Sequence, residues 1–387
     1  MVERMNEFPV RMARPDPANS PLRLTTFMCV LMMLAAGVLA LAMDASVAAR
    51  QWHLHRTIVS GDVLEFRAHA VLMSHLADHA AAAAADHLPY PPPFLLLILP
   101  MSWLGPLSGY IAWIMAANLL LVLTARALGL RWWAIALGLI SPANLYCMTM
   151  GQTGIFVAVC LLASLGLAEA MPVLAGVAAG CLIIKPQFAL LLPVCFMGAR
   201  NWRAFFSAAA TVLALCIVTT LLFTPEVWRV YFGHQAGGGT ALMRAHWPQP
   251  FQVTMVTLFM MCRSLGAGLP LSDAVQTFAS LGAAFGTWWL WTRGARIDRW
   301  VRLAATLILV VLATPYAYTY DLPAPALALT ACAAARLPGG LLALALFWAF
   351  TSLYGFFSTF WFLTGPIWLL ICLAMLGPGL RLSRIET

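Results

Sequence analysis

Charge is scarce in this chain of 387 residues: Asp, Glu, Lys and Arg supply only 9% of it, where soluble domains carry about 25%. With 62% hydrophobic residues and a mean hydropathy of +0.87, a soluble enzyme is excluded. Lysine is almost missing, since of 22 basic residues only Lys185 is not arginine. No two of the nine cysteines have the C-x-x-C spacing of a zinc or redox site, and all fall in or beside apolar runs, so they read as small core residues and not as disulfides. No small-residue cleavage site follows the apolar run Leu24 to Met43, and Arg4, Arg11, Arg14 and Arg23 precede it. A retained first span is expected there, not a removed signal peptide. No internal repeat is visible, and too little polar sequence remains for an extramembrane domain. The net charge of +8 does not imply nucleic-acid binding, because in such a chain the placement of the charges matters more than their sum.

What is present is one apolar segment after another. Runs at 24–43, 107–127, 132–149, 154–170, 171–185, 187–199, 204–223, 272–292, 301–314, 322–336, 338–356 and 363–379 predict an all-α polytopic membrane protein of about twelve transmembrane helices. With a cytosolic N-terminal tail at 1–23 and a cytosolic C-terminal tail at 381–387, Arg126, Arg131, Arg200, Arg203, Arg293, Arg296, Arg299, Arg302, Arg336, Arg381 and Arg384 all fall in short cytosolic loops, as the positive-inside rule requires. Pro93 to Leu104 is apolar but about 12 residues long, and reads as a re-entrant or broken lead-in to the next helix. Two external stretches result, 44–92 and 224–271. The first holds an expected interfacial helix, Asp62 to about His79, with Val63, Phe66, Ala70, Met73 and Ala77 on one face and Glu65, His69, His75 and Asp78 elsewhere.

On this topology every histidine is external, His234 and His246 included. So are Asp62, the turn Pro89-Tyr90-Pro91-Pro92-Pro93, Gly151-Gln152-Thr153-Gly154, Lys185-Pro186-Gln187, and Thr314-Pro315-Tyr316-Ala317-Tyr318-Thr319-Tyr320-Asp321. Polar motifs from separate parts of the chain thus collect on one membrane face, which suits an outward-facing active site. Each also has an ordinary structural reading. Asp62 and Glu65 have the spacing of a helix-capping pair, the commoner use of such a pattern. His75 and His79 share a helix face but are more often a solvated pair than metal ligands. Lys185 would serve as a snorkelling anchor, though one beside a proline is poorly placed for it. Gln152 between glycines suits a tight turn, and Asp321 would cap the next span, although an acid at a membrane boundary is a functional candidate.

The order of an N-terminal span, Gly61-Asp62 with Phe66, Pro-Tyr-Pro-Pro-Pro-Phe (89–94), Gly-Gln-x-Gly (151–154), Leu-Ala-Gly (174–176), Lys-Pro-Gln (185–187), Arg-x-Trp-Arg (200–203) and Thr-Pro-Tyr-x-Tyr-x-Tyr-Asp (314–321) resembles glycosyltransferase family 87, from about residue 24 to 380. This family is a polyprenol-phosphate-mannose-dependent, α-1,2-mannosyltransferase-like group of the GT-C fold. The first external loop is less tyrosine-rich here than in the family, and 224–271 matches loosely. The resemblance implies a single membrane-embedded domain at 24–380 that takes a sugar, mannose in the family, from a polyprenyl phosphate donor to a lipid or glycan acceptor. It also implies a catalytic carboxylate in the first external loop, the position held by Asp62.

That chemistry suits the inventory. A carboxylate removes the acceptor hydroxyl's proton while a fixed cation stabilises the leaving phosphate. Asp62 is the expected base and Lys185 the cation, with Arg244, His234 or His246 as secondary candidates beside it and Glu65 as the rival base. Gln187, Gln152, Tyr90, Tyr316, Tyr320 and Asp321 are expected around the donor's phosphate or sugar. No bound cofactor or metal is expected, the lipid-linked sugar being a co-substrate, although a weak dependence on divalent cations stays open. The expected location is the plasma membrane, with both termini cytosolic and the site external. The competing readings are a lipid-linked oligosaccharide ligase or polymerase, which shares an external polar site, and a twelve-span secondary transporter, which would show related halves and charges near the midplane.

Overall fold

The computed structural model describes residues 20–55, 57, 59–74, 90–235, 243–360 and 362–380, and among them helices account for nearly all regular structure. The principal helices are α1 (Ser20–His55), α2 (Gly61–Ser74), α3 (Pro106–Ala127), α4 (Trp132–Leu139), α5 (Pro142–Met150), α6 (Gly154–Gly166), α7 (Pro172–Cys181), α8 (Leu192–Gly198), α9 (Trp202–Phe223), α10 (Leu269–Thr292), α11 (Arg299–Ala313), α12 (Pro323–Ala334), α13 (Gly340–Phe360) and α14 (Gly365–Met375). The expected tails lie almost wholly outside the described residues, as do His75, Ala77, Asp78, His79 and His87.

Among the described residues three helices are long and apolar enough to cross a bilayer alone: α1 over Leu24–Arg50, α3 and α9. The segment expected as one span at 132–149 is two helices, α4 and α5, bent by 52° where Pro142 follows Ser141. Proline lacks the N–H that would continue the ladder, and the Ser141 hydroxyl takes the Asn144 N–H instead, so the break is capped. Helix α10 is as long, at 24 residues, but is not among those apolar enough, and most of the remaining apolar segments are helices of 10–17 residues. The segment read as a lead-in forms a 10-residue helix over Phe94–Trp103, too short at 1.5 Å per residue for a core of about 30 Å. Helix α1 outruns its expected end at Met43 by twelve residues, because Ala45, Val47, Ala48 and Ala49 continue it with no glycine or proline to stop it.

The core is the run α11 to α12, buried on all sides: in α12 every residue from Pro323 to Cys332 is buried. A helix apolar all round is an interior helix. Helix α9 is its opposite, largely uncovered, and docks on α7 through Gly176 and Gly180. A Cβ on Gly176 would overlap the Ala204 carbonyl, and one on Gly180 would meet Thr211 at 2.5 Å, so the small-xxx-small pattern sets how closely the backbones approach.

Contacts between turns give the bundle two distinct ends. At one, Arg299 donates to the Leu128 carbonyl at 3.0 Å, Asn201 to that of Ala168 at 2.6 Å, and Arg302 pairs with Glu169. At the other lie α2, the turn between α5 and α6, the break at Lys185 and residues 314–321.

Candidate active site

Three motifs meet at the second end because two glycines let them. Gly151 closes α5 in the left-handed region, φ 64°, and a Cβ there would overlap Val63 and meet the Ser60 hydroxyl at 2.5 Å. A Cβ on Gly154 would overlap the Tyr320 carbonyl oxygen. The Gly-Gln-x-Gly turn is therefore wedged between the start of α2 and the tyrosine-rich segment.

An aromatic cluster fixes the wedge. The Tyr90 and Phe94 rings stack at 4.1 Å, Phe66 of α2 meets both edge-on at 5.6 and 5.1 Å, and Trp113 of α3 packs on Phe66 at 5.8 Å while donating its indole N–H to the Gly151 carbonyl at 3.0 Å. The Pro-Tyr-Pro-Pro-Pro-Phe motif thus contributes rings to the core and one hydroxyl to the site. That hydroxyl donates to Gln152 Oε1 at 3.1 Å and lies 3.4 Å from the Thr153 hydroxyl. With its oxygen taken by Tyr90, the Gln152 amide keeps its N–H groups for the nearby Asp62 carboxyl, whose charged form it favours.

The structure separates the two readings of Asp62. The cap of α2 is Ser60, whose hydroxyl accepts the Val63 N–H at 3.3 Å, and Asp62 is free of that duty in the first helical turn. Burial raises the Asp62 carboxyl above the usual carboxylate range, against the pull of the Gln152 hydrogen bond and of the Lys185 charge. Glu65 lies exposed one turn further on. His69, expected off the apolar face, is buried, with its Nδ1 donating to the Glu65 carbonyl at 2.8 Å. It continues the stripe three residues after Phe66.

Lys185 sits in the gap between two 3-10 turns, Leu182–Ile184 and Pro186–Ala189. It is buried, which removes the snorkelling reading, and its Nζ lies 2.6 Å from Asp321 Oδ1 and 4.9 Å from the centre of the Tyr320 ring. Asp321 caps no part of α12. Its second oxygen accepts the Tyr318 N–H at 3.1 Å, closing the turn that presents it to Lys185. The three tyrosines of the segment form one cluster: Tyr318 stacks on Tyr320 at 4.8 Å, meets Tyr316 edge-on at 5.2 Å and donates its hydroxyl to that of Tyr316 at 3.2 Å. Behind them Val256 N–H donates to the Ala317 carbonyl at 3.0 Å, which joins the stretch 224–271 to the site.

Asp62, Gln152, Tyr90, Lys185, Asp321, Tyr316 and Tyr320 are therefore brought together. Gln187 lies half-buried in the following turn without a hydrogen bond to them. Arg244 forms an exposed ion pair with Asp273 at 2.9 Å and His246 is exposed, so neither joins the cluster; the His234 side chain lies outside the described residues. Among the described residues no three His, Cys, Asp or Glu side chains gather as metal ligands. Two residues not foreseen border the site. Tyr146 on α5 lies near Thr319, Asp62 and Asp44, and Asp44 on α1 lies near Thr149. Asp44 was visible as an acid at the end of the first apolar run, the position where a charge is informative.

A helical membrane protein with a half-buried carboxylate and a buried cation at one end has the parts of a group-transfer enzyme. Residues 88–315, more than half of the chain, match the family model of glycosyltransferase family 87, and the chain belongs to that family. It is a glycosyltransferase. The matched stretch is shorter than the 24–380 over which the resemblance was read; it contains Tyr90, Gln152 and Lys185, while Asp62 and Asp321 lie outside it and rest on the geometry. No curated protein and no solved structure matches the chain.

Proposed function

We propose that this glycosyltransferase moves a hexosyl residue, mannose by family, from a polyprenyl phosphate to a lipid or glycan acceptor, with inversion at the anomeric carbon, in a GT-C-type architecture. The observation that carries the reading is the convergence of Asp62 and Lys185: the half-buried Asp62 carboxyl feels the Lys185 charge, and Lys185 Nζ lies 5.8 Å from the centre of the Tyr90 ring, whose hydroxyl donates to Gln152. A base and a phosphate-binding cation are the two groups such a transfer needs.

In this reading Asp62 takes the proton of the acceptor hydroxyl as its oxygen attacks the anomeric carbon. The bond from that carbon to the phosphate oxygen breaks, and the phosphate leaves with the electron pair. The donor is a phosphodiester with one negative charge and the product a monoester with a second, so charge develops next to Lys185. Asp321 holds Lys185 in place and offsets its charge until the donor arrives. The raised affinity of Asp62 for a proton suits a base, and Gln152 sets its orientation. In this reading the protein lies in the plasma membrane, and the arginines of the opposite end, read by the positive-inside rule, favour an external cluster and cytosolic tails.

The test incubates purified protein with labelled polyprenyl phosphate mannose, with and without extracted membrane lipids. Transfer of single mannose units to a lipid or glycan acceptor is expected. Transfer of a preassembled oligosaccharide, with no use of the monosaccharide donor, would assign the site to a ligase instead.

A further inference from the structure

At the arginine-rich end, away from the catalytic cluster, the turns following α6, α8 and α10 enclose a cavity of about 820 Å³. Its lining includes Arg200, Arg203, Arg302, Glu169, Trp202 and Trp291. Arg302 is committed: it is buried, pairs with Glu169, and lies over the Trp291 ring at 4.8 Å, with the indole N–H fixed on Thr306 at 3.0 Å. Arg200 and Arg203 are exposed and have no ion pair among the described residues. The cavity therefore carries two uncommitted positive charges beside one neutralised pair. Arg200 also holds a left-handed backbone, φ 54°, at a helix end where glycine or asparagine is usual.

The rim of the cavity is apolar. Trp202 is 51% exposed and Phe206 65%, and both open onto the uncovered face of α9; Val173 and Leu174 of α7 continue that surface. A ligand that satisfies both parts needs an anionic head and hydrocarbon chains, one beside the arginines and the other along α7 and α9. We propose that this cavity binds the phosphate of an anionic membrane phospholipid, with Arg200 and Arg203 on the phosphate and the acyl chains against α9. Basic pockets between membrane helices at the arginine-rich side are suited to such head groups. The proposal is independent of the sugar-transfer reading, because none of the cluster residues takes part.

The test uses the full-length protein in detergent, exposed to equal amounts of dioleoyl phosphatidylglycerol and dioleoyl phosphatidylcholine, with retained lipid counted by native mass spectrometry. A preference for the anionic lipid of roughly tenfold is expected from two basic residues at the head group. The preference should fall to near parity in Arg200→Gln/Arg203→Gln and survive in Arg200→Lys/Arg203→Lys, which keeps the charge. Glycerol phosphate, a chain-free phosphate monoester with at least the charge of the lipid's diester, should neither compete at matched concentration nor raise the melting temperature. Equal retention of the two lipids by the unaltered chain would overturn the proposal without recourse to any variant. Undiminished preference in a folded Gln variant, or full competition by glycerol phosphate, would overturn it as well.

Discussion

Lys185 and Asp321, 136 residues apart, form an ion pair at 2.6 Å with both side chains buried, and they lock the break between α7 and α8 to the start of α12. A buried pair is a weak source of net stability, but removing one member strands the other charge in a poorly solvated site. Lys185→Ala is expected to lower stability by roughly 3–5 kcal/mol and to abolish transfer. Lys185→Ala/Asp321→Asn removes the stranded charge, so the melting temperature in detergent should largely recover while transfer stays lost. Lys185→Arg should restore part of the transfer, since a phosphate accepts either cation. Recovery of transfer in the double variant would reduce Lys185 to a structural partner of Asp321.

The two glycines of the Gly-Gln-x-Gly turn make a steric prediction. A methyl at Gly154 meets the Tyr320 backbone, and one at Gly151 meets Val63 while also straining a left-handed residue. Each alanine variant should lose about 1–3 kcal/mol, as overpacked sites do, and should lose transfer more severely than stability because the wedge positions Gln152 and Lys185. Thermal melting and a transfer assay on the same preparation check this.

A third prediction concerns pH. The Asp62 carboxyl titrates above its unfolded value of 3.8 because burial disfavours its charge. Between that value and the raised one, the folded state holds more protons than the unfolded state, so this group's contribution to stability is full below pH 3.8 and is lost as pH rises through the folded value. Asp62→Asn should remove that slope and be at least as stable as the unaltered chain at neutral pH. The acid limb of the kcat/KM profile should likewise fall above the ordinary carboxylate range. A limb near pH 4 would contradict the burial of the base.

Topology is open to labelling. On a background without native cysteines, Ser74→Cys, at the exposed end of α2, and Gln249→Cys should react with a membrane-impermeant thiol reagent from outside, and Arg203→Cys only after permeabilisation, as the arginine distribution requires. Reaction of Arg131→Cys from outside would overturn the orientation of everything after Phe94.

The helical membrane character and most residues of the candidate cluster are legible in the sequence, for reasons that differ by residue. Asp62, Gln152, Lys185 and Asp321 stood out because a polar side chain in so apolar a chain has few reasons to be there. Their partners did not show, since no local pattern says that Lys185 meets Asp321 or that Gly154 faces Tyr320. The apolar stripe of α2 was read from Val63, Phe66, Ala70 and Met73, but His69 was assigned by its polarity and not by its angle. It is buried because its ring nitrogen finds the Glu65 carbonyl. The break within 132–149 carried its signal in Ser141-Pro142, which hydropathy alone ran across. Asp44 falls outside the pattern, because the apolar run ends at Met43, one residue before it, whereas α1 continues to His55.

The most direct measurement is the rate of mannose transfer by Asp62→Asn and by Glu65→Gln beside the unaltered enzyme, with melting temperatures recorded for all three. Ser60 keeps the cap of α2 in either variant, so both should fold. The account predicts transfer by Asp62→Asn lowered by about 10²–10⁴, the range of general-base catalysis, and transfer by Glu65→Gln near normal. Wild-type transfer by a folded Asp62→Asn, with Glu65→Gln inactive, would move the base to Glu65; wild-type transfer by both would contradict a carboxylate base in this loop altogether.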